Sequence, residues 1–258
     1  MGASLQGQVA VITGASGGLG AHFATVLARE GAAVALTARR LEMVEALAGE
    51  LAGQGHKAMA LRLDVAAPAA IGPAFDEVEA ALGPISILIN NAGVSGSGMA
   101  LEMTQETFDQ TFDVNVRGVY FAAQEAAKRM FASGVAEREA GRIVNIASVA
   151  AQTNLPGLSV YCASKAAVAM MTRAMAREWA RRGVSVNALG PGYVLTDINA
   201  DWFDSEGGAA QLKRFPKRRL MAAEDLDAAL LMLAGPAAKA ITGQLILVDD
   251  GQTLPGGG

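Results

Sequence analysis

The chain is poor in the residues that carry metal and thiol chemistry, with one cysteine, Cys162, and two histidines, His22 and His56, among 258 residues. A lone thiol forms no internal disulfide and has no second ligand beside it in sequence, so a reducing cytoplasm is the expected setting. Neither histidine adjoins a nucleophile or another metal-ligand type, and neither a metal nor histidine-based catalysis is expected. An excess of basic residues is missing too: 21 against 25 acidic, a formal net charge of -4, gives no broad positive field, and nucleic acid is discounted as a partner. The N-terminus lacks the basic start and apolar run of a signal peptide, so export is not expected. The uncharged stretch 143–164 is interrupted by Asn145, Ser148, Gln152, Asn154 and Pro156 and does not read as a membrane span.

What is present is apolar: hydrophobic residues make up 52% of the chain and charged ones 18%, enough for one deep core, and the length suits a single domain over 1–258. Short apolar runs at 8–13, 33–37, 58–63, 85–89, 142–147, 184–189 and 244–248 are mostly separated by segments with room for a helix. Parallel strands buried on both faces read as such runs, so the pattern predicts an α/β fold, a doubly wound, Rossmann-type, seven-stranded parallel sheet with helices on both faces. Residues 193–223 are more polar and irregular, which marks an excursion from the sheet.

Directly after the first run comes Thr13-Gly14-Ala15-Ser16-Gly17-Gly18-Leu19-Gly20, and helical spacing of Phe23, Val26 and Leu27 follows. Glycines let backbone approach a ligand closely, and a helix N-terminus offers free N–H groups to a pyrophosphate. Gly14, Gly18 and Gly20 are spaced Gly-x-x-x-Gly-x-Gly; Ser16 and Phe23 stand where the Gly-x-Gly-x-x-Gly fingerprint needs glycine. At the end of the second run no acidic residue is available for the ribose 2′-hydroxyl of NAD. Arg39 and Arg40 stand there instead, at the start of the next helix, where two cations oppose the dipole and call for an anion. A 2′-phosphate supplies it, the alternative being a pair of solvated surface arginines at a loop, so NADP(H) is expected over NAD(H), although NAD(H) stays possible. Asp64, after the third run, is a candidate for the adenine amino group or a plain helix cap.

Tyr161 and Lys165 lie four apart at the start of a helical pattern and share a face. A free phenol titrates near pH ~10, and a neighbouring ammonium lowers that value, which suits proton exchange. Ser148 ends the fifth run, so it belongs at the carboxyl edge of the sheet, where its hydroxyl can polarise a carbonyl.

From about residue 5 to 253 the chain resembles the short-chain dehydrogenase/reductase family. The resemblance rests on the glycine turn, Asn90-Asn91-Ala92-Gly93, Asn115 within Asp113-Val114-Asn115-Val116, Ser148, the Tyr161/Lys165 pair and Pro191-Gly192. It implies Tyr161 as acid/base, Lys165 as modulator of its pKa and ligand of the nicotinamide ribose, Ser148 as hydrogen-bond donor to the substrate carbonyl, and Asn115 as anchor of a proton-relay water. It also implies that Asn91, Ala92 and Gly93 lie along the cofactor and that Thr196 meets the carboxamide. Val65, Pro191, Gly192 and Val194 are placed beside the cofactor in the same way. The implied reaction moves hydride between the nicotinamide and a ketone or secondary alcohol; the implied assembly is a homotetramer or homodimer. Two departures stand out. The glycine turn has Ala15, Ser16 and Gly17 where many NADP-using relatives carry a basic residue, and Val248-Asp249-Asp250-Gly251 replaces the common Val-Asp-Gly-Gly.

The family keeps a mobile lid at the place of 193–223, where Tyr193, Trp202 and Phe203 either wall an apolar substrate pocket or pack within the lid or against another subunit. Lys213, Arg214, Lys217, Arg218 and Arg219 form a basic run that reads as a solvated or intersubunit patch, or as the attractor of an acidic acyl-carrier protein. Alternatives to a carbonyl reductase or alcohol dehydrogenase are thus a 3-oxoacyl-thioester reductase and a non-catalytic dinucleotide sensor; relatives that only sense often lack the tyrosine.

Overall fold

The computed structural model describes residues 5–195 and 200–254. Its first strand, β1 (Val9–Thr13), is buried at every position, because helices cover both faces and no side chain needs a polar outlet. Then follow β2 (Ala33–Ala38), β3 (Ala58–Arg62), β4 (Ile87–Asn90), β5 (Gly141–Ile146), β6 (Val184–Pro191) and β7 (Leu245–Val248). Among the described residues these form one seven-stranded sheet in the order β3-β2-β1-β4-β5-β6-β7, and every pairing is parallel. The expected strands are all present, with ends shifted by a residue or two. The edge strands β3 and β7 are only partly buried, since one side of each has no neighbour.

The helices are α1 (Gly18–Arg29), α2 (Leu41–Gly53), α3 (Ile71–Leu82), α4 (Gln105–Phe112), α5 (Val119–Ala132), α6 (Ser159–Trp179), α7 (Ala200–Phe203), α8 (Glu206–Arg214) and α9 (Asp227–Ala234). One face of the sheet gathers Phe23 and Leu27 of α1, Val44 and Leu51 of α2 and Leu230 and Leu233 of α9 against Ile12 and Leu36. The other gathers Phe75 of α3, Ala126 and Met130 of α5 and Met175 of α6 against Val11, Leu88 and Ile143. Alternate residues of a strand point to opposite faces, which is why Val11 and Ile12 fall in different clusters. Among the described residues no helix is long and apolar enough to cross a membrane.

Two features position the site. Strand order reverses at β1, flanked by β2 and β4, and the crevice between diverging connections opens there, at the carboxyl ends of the strands. Between α4 and α5 the chain makes a π-helical segment, Asp113–Gly118, a geometry found mostly at functional positions. Gly118 lets it lie on Val65, whose side chain and carbonyl would stand within 2.9 Å of any added Cβ.

Candidate active site

The glycine turn is shaped by two different demands. A Cβ on Gly14 would come within 2.7 Å of the Ala92 Cα, and one on Gly20 would collide with the Gly14 carbonyl and the Asn91 amide, so these glycines let the turn close upon itself and on the strand beside it. Over Gly17 and Gly18 there is open space; Gly18 has φ of 52°, left-handed backbone that suits glycine. The N-terminus of α1 has no side-chain cap and no acidic residue in its first turn, which leaves its N–H groups and the positive end of its dipole for an anion. Ala15 is buried, and Leu19 packs against the core below. Open space and uncapped donors fit a pyrophosphate. His22, one turn on, is occupied elsewhere: its Nε2 lies 2.6 Å from Asp227 Oδ1 on α9.

Arg39 and Arg40 are exposed at the entrance to α2, and Arg40 reaches back so that its Nη2 donates to Ser16 Oγ at 3.1 Å. The cation lacking from the turn's own sequence is thereby delivered to it from the end of β2. Asp64 uses one carboxylate oxygen to accept from the Ala66 N–H at 3.0 Å, a local cap, with Val65 buried beside it.

Across the crevice, Asn91 and Ala92 both donate their backbone N–H to Thr13 Oγ1 at 3.1 Å. The Asn91 side-chain amide donates to the carbonyls of Thr13 and Gly14. Gly93 is exposed, and a Cβ there would lie 3.3 Å from Asn115 Oδ1 and 3.6 Å from Lys165 Nζ. Asn115 itself is fully buried and its carboxamide is committed: Oδ1 accepts from the Val94 N–H at 2.8 Å, while Nδ2 donates to the Val94 carbonyl at 2.9 Å and to Ser164 Oγ at 3.0 Å.

Ser148, Tyr161 and Lys165 meet at the carboxyl edge of β5. Ser148 is extended and its Oγ accepts from the Ala150 N–H at 3.1 Å, which leaves its own proton to donate. The Tyr161 phenol faces that hydroxyl closely enough for a hydrogen bond to lower its pKa, but burial is the larger effect and pushes the phenol up. Lys165 Nζ sits 5.6 Å from the Tyr161 ring centroid and donates to the Ile146 carbonyl at 2.8 Å. Burial lowers this ammonium to about 8. The helical spacing does bring the ammonium beside the phenol, but burial and not Lys165 dominates the phenol's own shift, which is upward.

Pro191 ends β6 and Gly192 leads on to Tyr193, whose burial also pushes its phenol up. The Tyr193 ring lies between Phe203, at 5.6 Å edge-on, and Phe215, at 5.5 Å. Phe203 is buried in that contact. Trp202 is 53% exposed and donates its indole N–H to Gln211. Tyr193, Phe203 and Phe215 thus pack on one another, and Tyr193 acts electrostatically on Tyr161. Val194 is buried and bridges to Met221; Thr196 lies outside the described residues. In the basic run, Lys217 pairs with Asp250 and Arg219 with both Asp225 and Asp250. Cys162 Sγ points to the Thr153 carbonyl at 3.7 Å.

Residues 8–207 match the family model described as short chain dehydrogenase. The chain belongs to the short-chain dehydrogenase/reductase family. As an oxidoreductase of that family it is 37% identical to a D-threitol dehydrogenase of Mycolicibacterium smegmatis, over 97% of this chain and 94% of the relative. It is 34% identical to a 3-oxoacyl-[acyl-carrier-protein] reductase of Staphylococcus aureus, over 95% and 98%. The crystal structure of a gluconate 5-dehydrogenase from Burkholderia cenocepacia, in complex with NADP and tartrate, superposes with a TM-score of 0.91 at 35% identity, covering 97% of each chain.

Three supports of this short-chain dehydrogenase site went unnoticed in the sequence. Thr13 fixes the Asn91-Ala92 backbone, and its place just before the glycine turn was an available signal. Ser164 links the Asn115 amide to the Tyr161 carbonyl, accepting from the first and donating to the second at 2.7 Å. Gln252 accepts from the Tyr193 N–H at 2.6 Å across 59 residues of sequence, and nothing local announces such a contact.

Proposed function

We propose that this short-chain dehydrogenase/reductase transfers hydride between NADP(H) and a ketone or secondary alcohol, with Tyr161 as the general acid and base. The observation that carries the proposal is the meeting of Ser148, Tyr161 and Lys165 beside the crevice that the glycine turn opens. The NADP complex of the gluconate 5-dehydrogenase neighbour and the placement of Arg40 over Ser16 support the choice of dinucleotide. Gly14, Gly18, Gly20, Asn91, Ala92, Gly93 and the end of β6 would line its path, and Arg40 and Arg39 would receive the 2′-phosphate. When bound, the nicotinamide supplies or accepts the hydride.

In the reductive direction Ser148 Oγ, oriented by the bond it accepts from the Ala150 N–H, donates its proton in a hydrogen bond to the ketone oxygen and fixes its position. Tyr161 donates its proton to the same oxygen as negative charge grows there, so that one hydride and one proton convert C=O to CH–OH. The phenolate left behind is stabilised by the Lys165 ammonium across the helical turn. Because the Asn115 carboxamide is consumed by Val94 and Ser164, any water that this residue anchors is held by its main-chain carbonyl. In oxidation the same groups run in reverse.

The relatives named for threitol and gluconate oxidation favour a small hydroxylated substrate; the Staphylococcus relative favours a 3-oxoacyl thioester. Ion pairing of Lys217 and Arg219 within the chain counts against the second, since it removes charge from the run that an acidic carrier would seek. A panel of D-threitol, gluconate, ethyl acetoacetate and acetoacetyl-coenzyme A, followed by NADPH absorbance with NADH as control, separates these. Turnover of the alcohols or the free ketone with NADP(H) supports the proposal. Turnover of the thioester alone moves the chain to the carrier reductases, and preference for NAD(H) removes the role given to Arg40.

A further inference from the structure

We propose that the turn at the end of β7, residues 249–254, is the brace that positions the Tyr193 wall of the active site, with Asp250 as a positioning residue. This rests on the proposal of Tyr161 as the acid and base, and takes Tyr193, which acts electrostatically on that phenol, as bordering the substrate.

The turn is stiff in itself. Asp249 accepts from the Gly251 N–H at 3.0 Å, from the Thr253 N–H at 3.0 Å and from the Thr253 hydroxyl at 2.6 Å, and β7 roots it in the sheet through β6. It touches both ends of the excursion that leaves β6. At the departing end, Gln252 accepts from the Tyr193 N–H and donates to the Tyr193 carbonyl at 3.4 Å. Gly192 permits this approach, because a Cβ there would collide with Gln252 Oε1 and with Asp249. At the returning end, Asp250 holds Lys217 and Arg219, each at 2.6 Å. Pro216 stands 3.5 Å from where a Cβ on Gly251 would lie, and its neighbour Phe215 stacks on Tyr193. The two ends are also tied to each other, Met221 donating to the Tyr193 carbonyl and Leu195 to the Met221 carbonyl at 3.0 Å each.

Asp250 occupies φ of 53°, left-handed backbone that non-glycine residues adopt reluctantly, and Arg218, between its two partners, has φ of 51°. The Asp250 side chain is only 12% exposed. A carboxylate largely removed from water in that conformation persists when cations hold it. Charge thus adds to the stacking and backbone bonds that hold the returning end, and salt should loosen that part.

The test compares wild type with Asp250→Gly, which accepts φ near +50° without strain, and Asp250→Asn, which keeps the shape and removes the charge. Limited trypsin digestion reads the bonds after Lys213, Arg214, Lys217, Arg218 and Arg219. Cleavage there should quicken several-fold in both variants. KM for ethyl acetoacetate should rise about fivefold, the scale that two partly exposed ion pairs carry, with kcat within about twofold and NADPH affinity unchanged. Raising NaCl should reproduce the KM rise in wild type and add nothing in Asp250→Asn. Unchanged cleavage and KM in both variants would overturn the brace. So would a parallel fall of kcat, NADPH affinity and Tm, which marks general loss of structure. If the wild type reduces no ketone, the catalytic proposal fails while the digestion still decides this one.

Discussion

Two side chains set the chemistry that can be measured one residue at a time. Lys165 is held near 8 by burial while the same burial pushes Tyr161 above the ordinary phenol value, so in the free enzyme the ammonium is the first of the two to lose its proton as pH rises. Reduction needs both groups protonated. The expected pH profile of kcat/KM for ketone reduction is therefore flat below neutrality and falls as pH climbs through about 8; a profile still flat at pH ~10 would show that the Lys165 charge is not required. Arg40 governs a different quantity. It stands on Ser16 at 3.1 Å with its guanidinium exposed, and a charge-assisted bond to a phosphate carries about 1.5–3 kcal/mol. Arg40→Ala should weaken NADPH binding by at least about tenfold while leaving NADH binding as it was, as titration of cofactor fluorescence would show. Equal losses for both would place the 2′-phosphate elsewhere.

At the scale of elements, the glycine turn and β5 make opposite predictions about fold and function. Gly17 has open space above it and an extended φ of 165°, which any residue adopts. Gly17→Ala should leave thermal stability near wild type yet weaken NADPH binding about tenfold, because the methyl group enters the space over the helix donors. Gly20→Ala drives a methyl into the Gly14 carbonyl and the Asn91 amide, so it should lower both stability and affinity. Arg142 works the other way. Buried at the start of β5, it donates to the carbonyls of Gly235, Glu139 and Gly141 and thereby ties the end of α9 to the sheet. Arg142→Leu removes three hydrogen bonds, although the Gly235 carbonyl keeps the one from the Ala238 N–H, and should cost about 3 kcal/mol in denaturant unfolding, with KM for the cofactor unchanged in the fraction that remains folded. Cofactor binding lost in the folded fraction would mean that the start of β5, at the opposite end of the strand from Ser148, also shapes the site.

Over the whole molecule, legibility in the sequence followed the range of the physics involved. Buried parallel strands write themselves as apolar runs, so the sheet and its number of strands were readable, and Tyr161 with Lys165 share a helix face by spacing alone. Strand ends such as Ile85 and Ser86, apolar or small but lying before β4, were not, because hydrogen-bond partners and not hydropathy decide where pairing begins. The upward shift of the Tyr161 phenol is not legible in the sequence, because desolvation depends on what covers the pair. Contacts between distant parts of the chain were invisible: Arg40 with Ser16, His22 with Asp227, Gln252 with Tyr193 and Asp250 with Arg219. Phe203 shows the same limit, since composition could not tell a substrate wall from an aromatic packed on Tyr193.

The account stands on Tyr161 as the group that exchanges the substrate proton at the edge of β5. Its most direct test is the Tyr161→Phe variant, assayed for NADPH binding by fluorescence and for ketone reduction by absorbance in the same preparation. NADPH affinity should stay within about twofold of wild type while kcat falls by about 10²–10⁴-fold, the range that a positioned acid supplies. Turnover equal to wild type with NADPH still bound would contradict it.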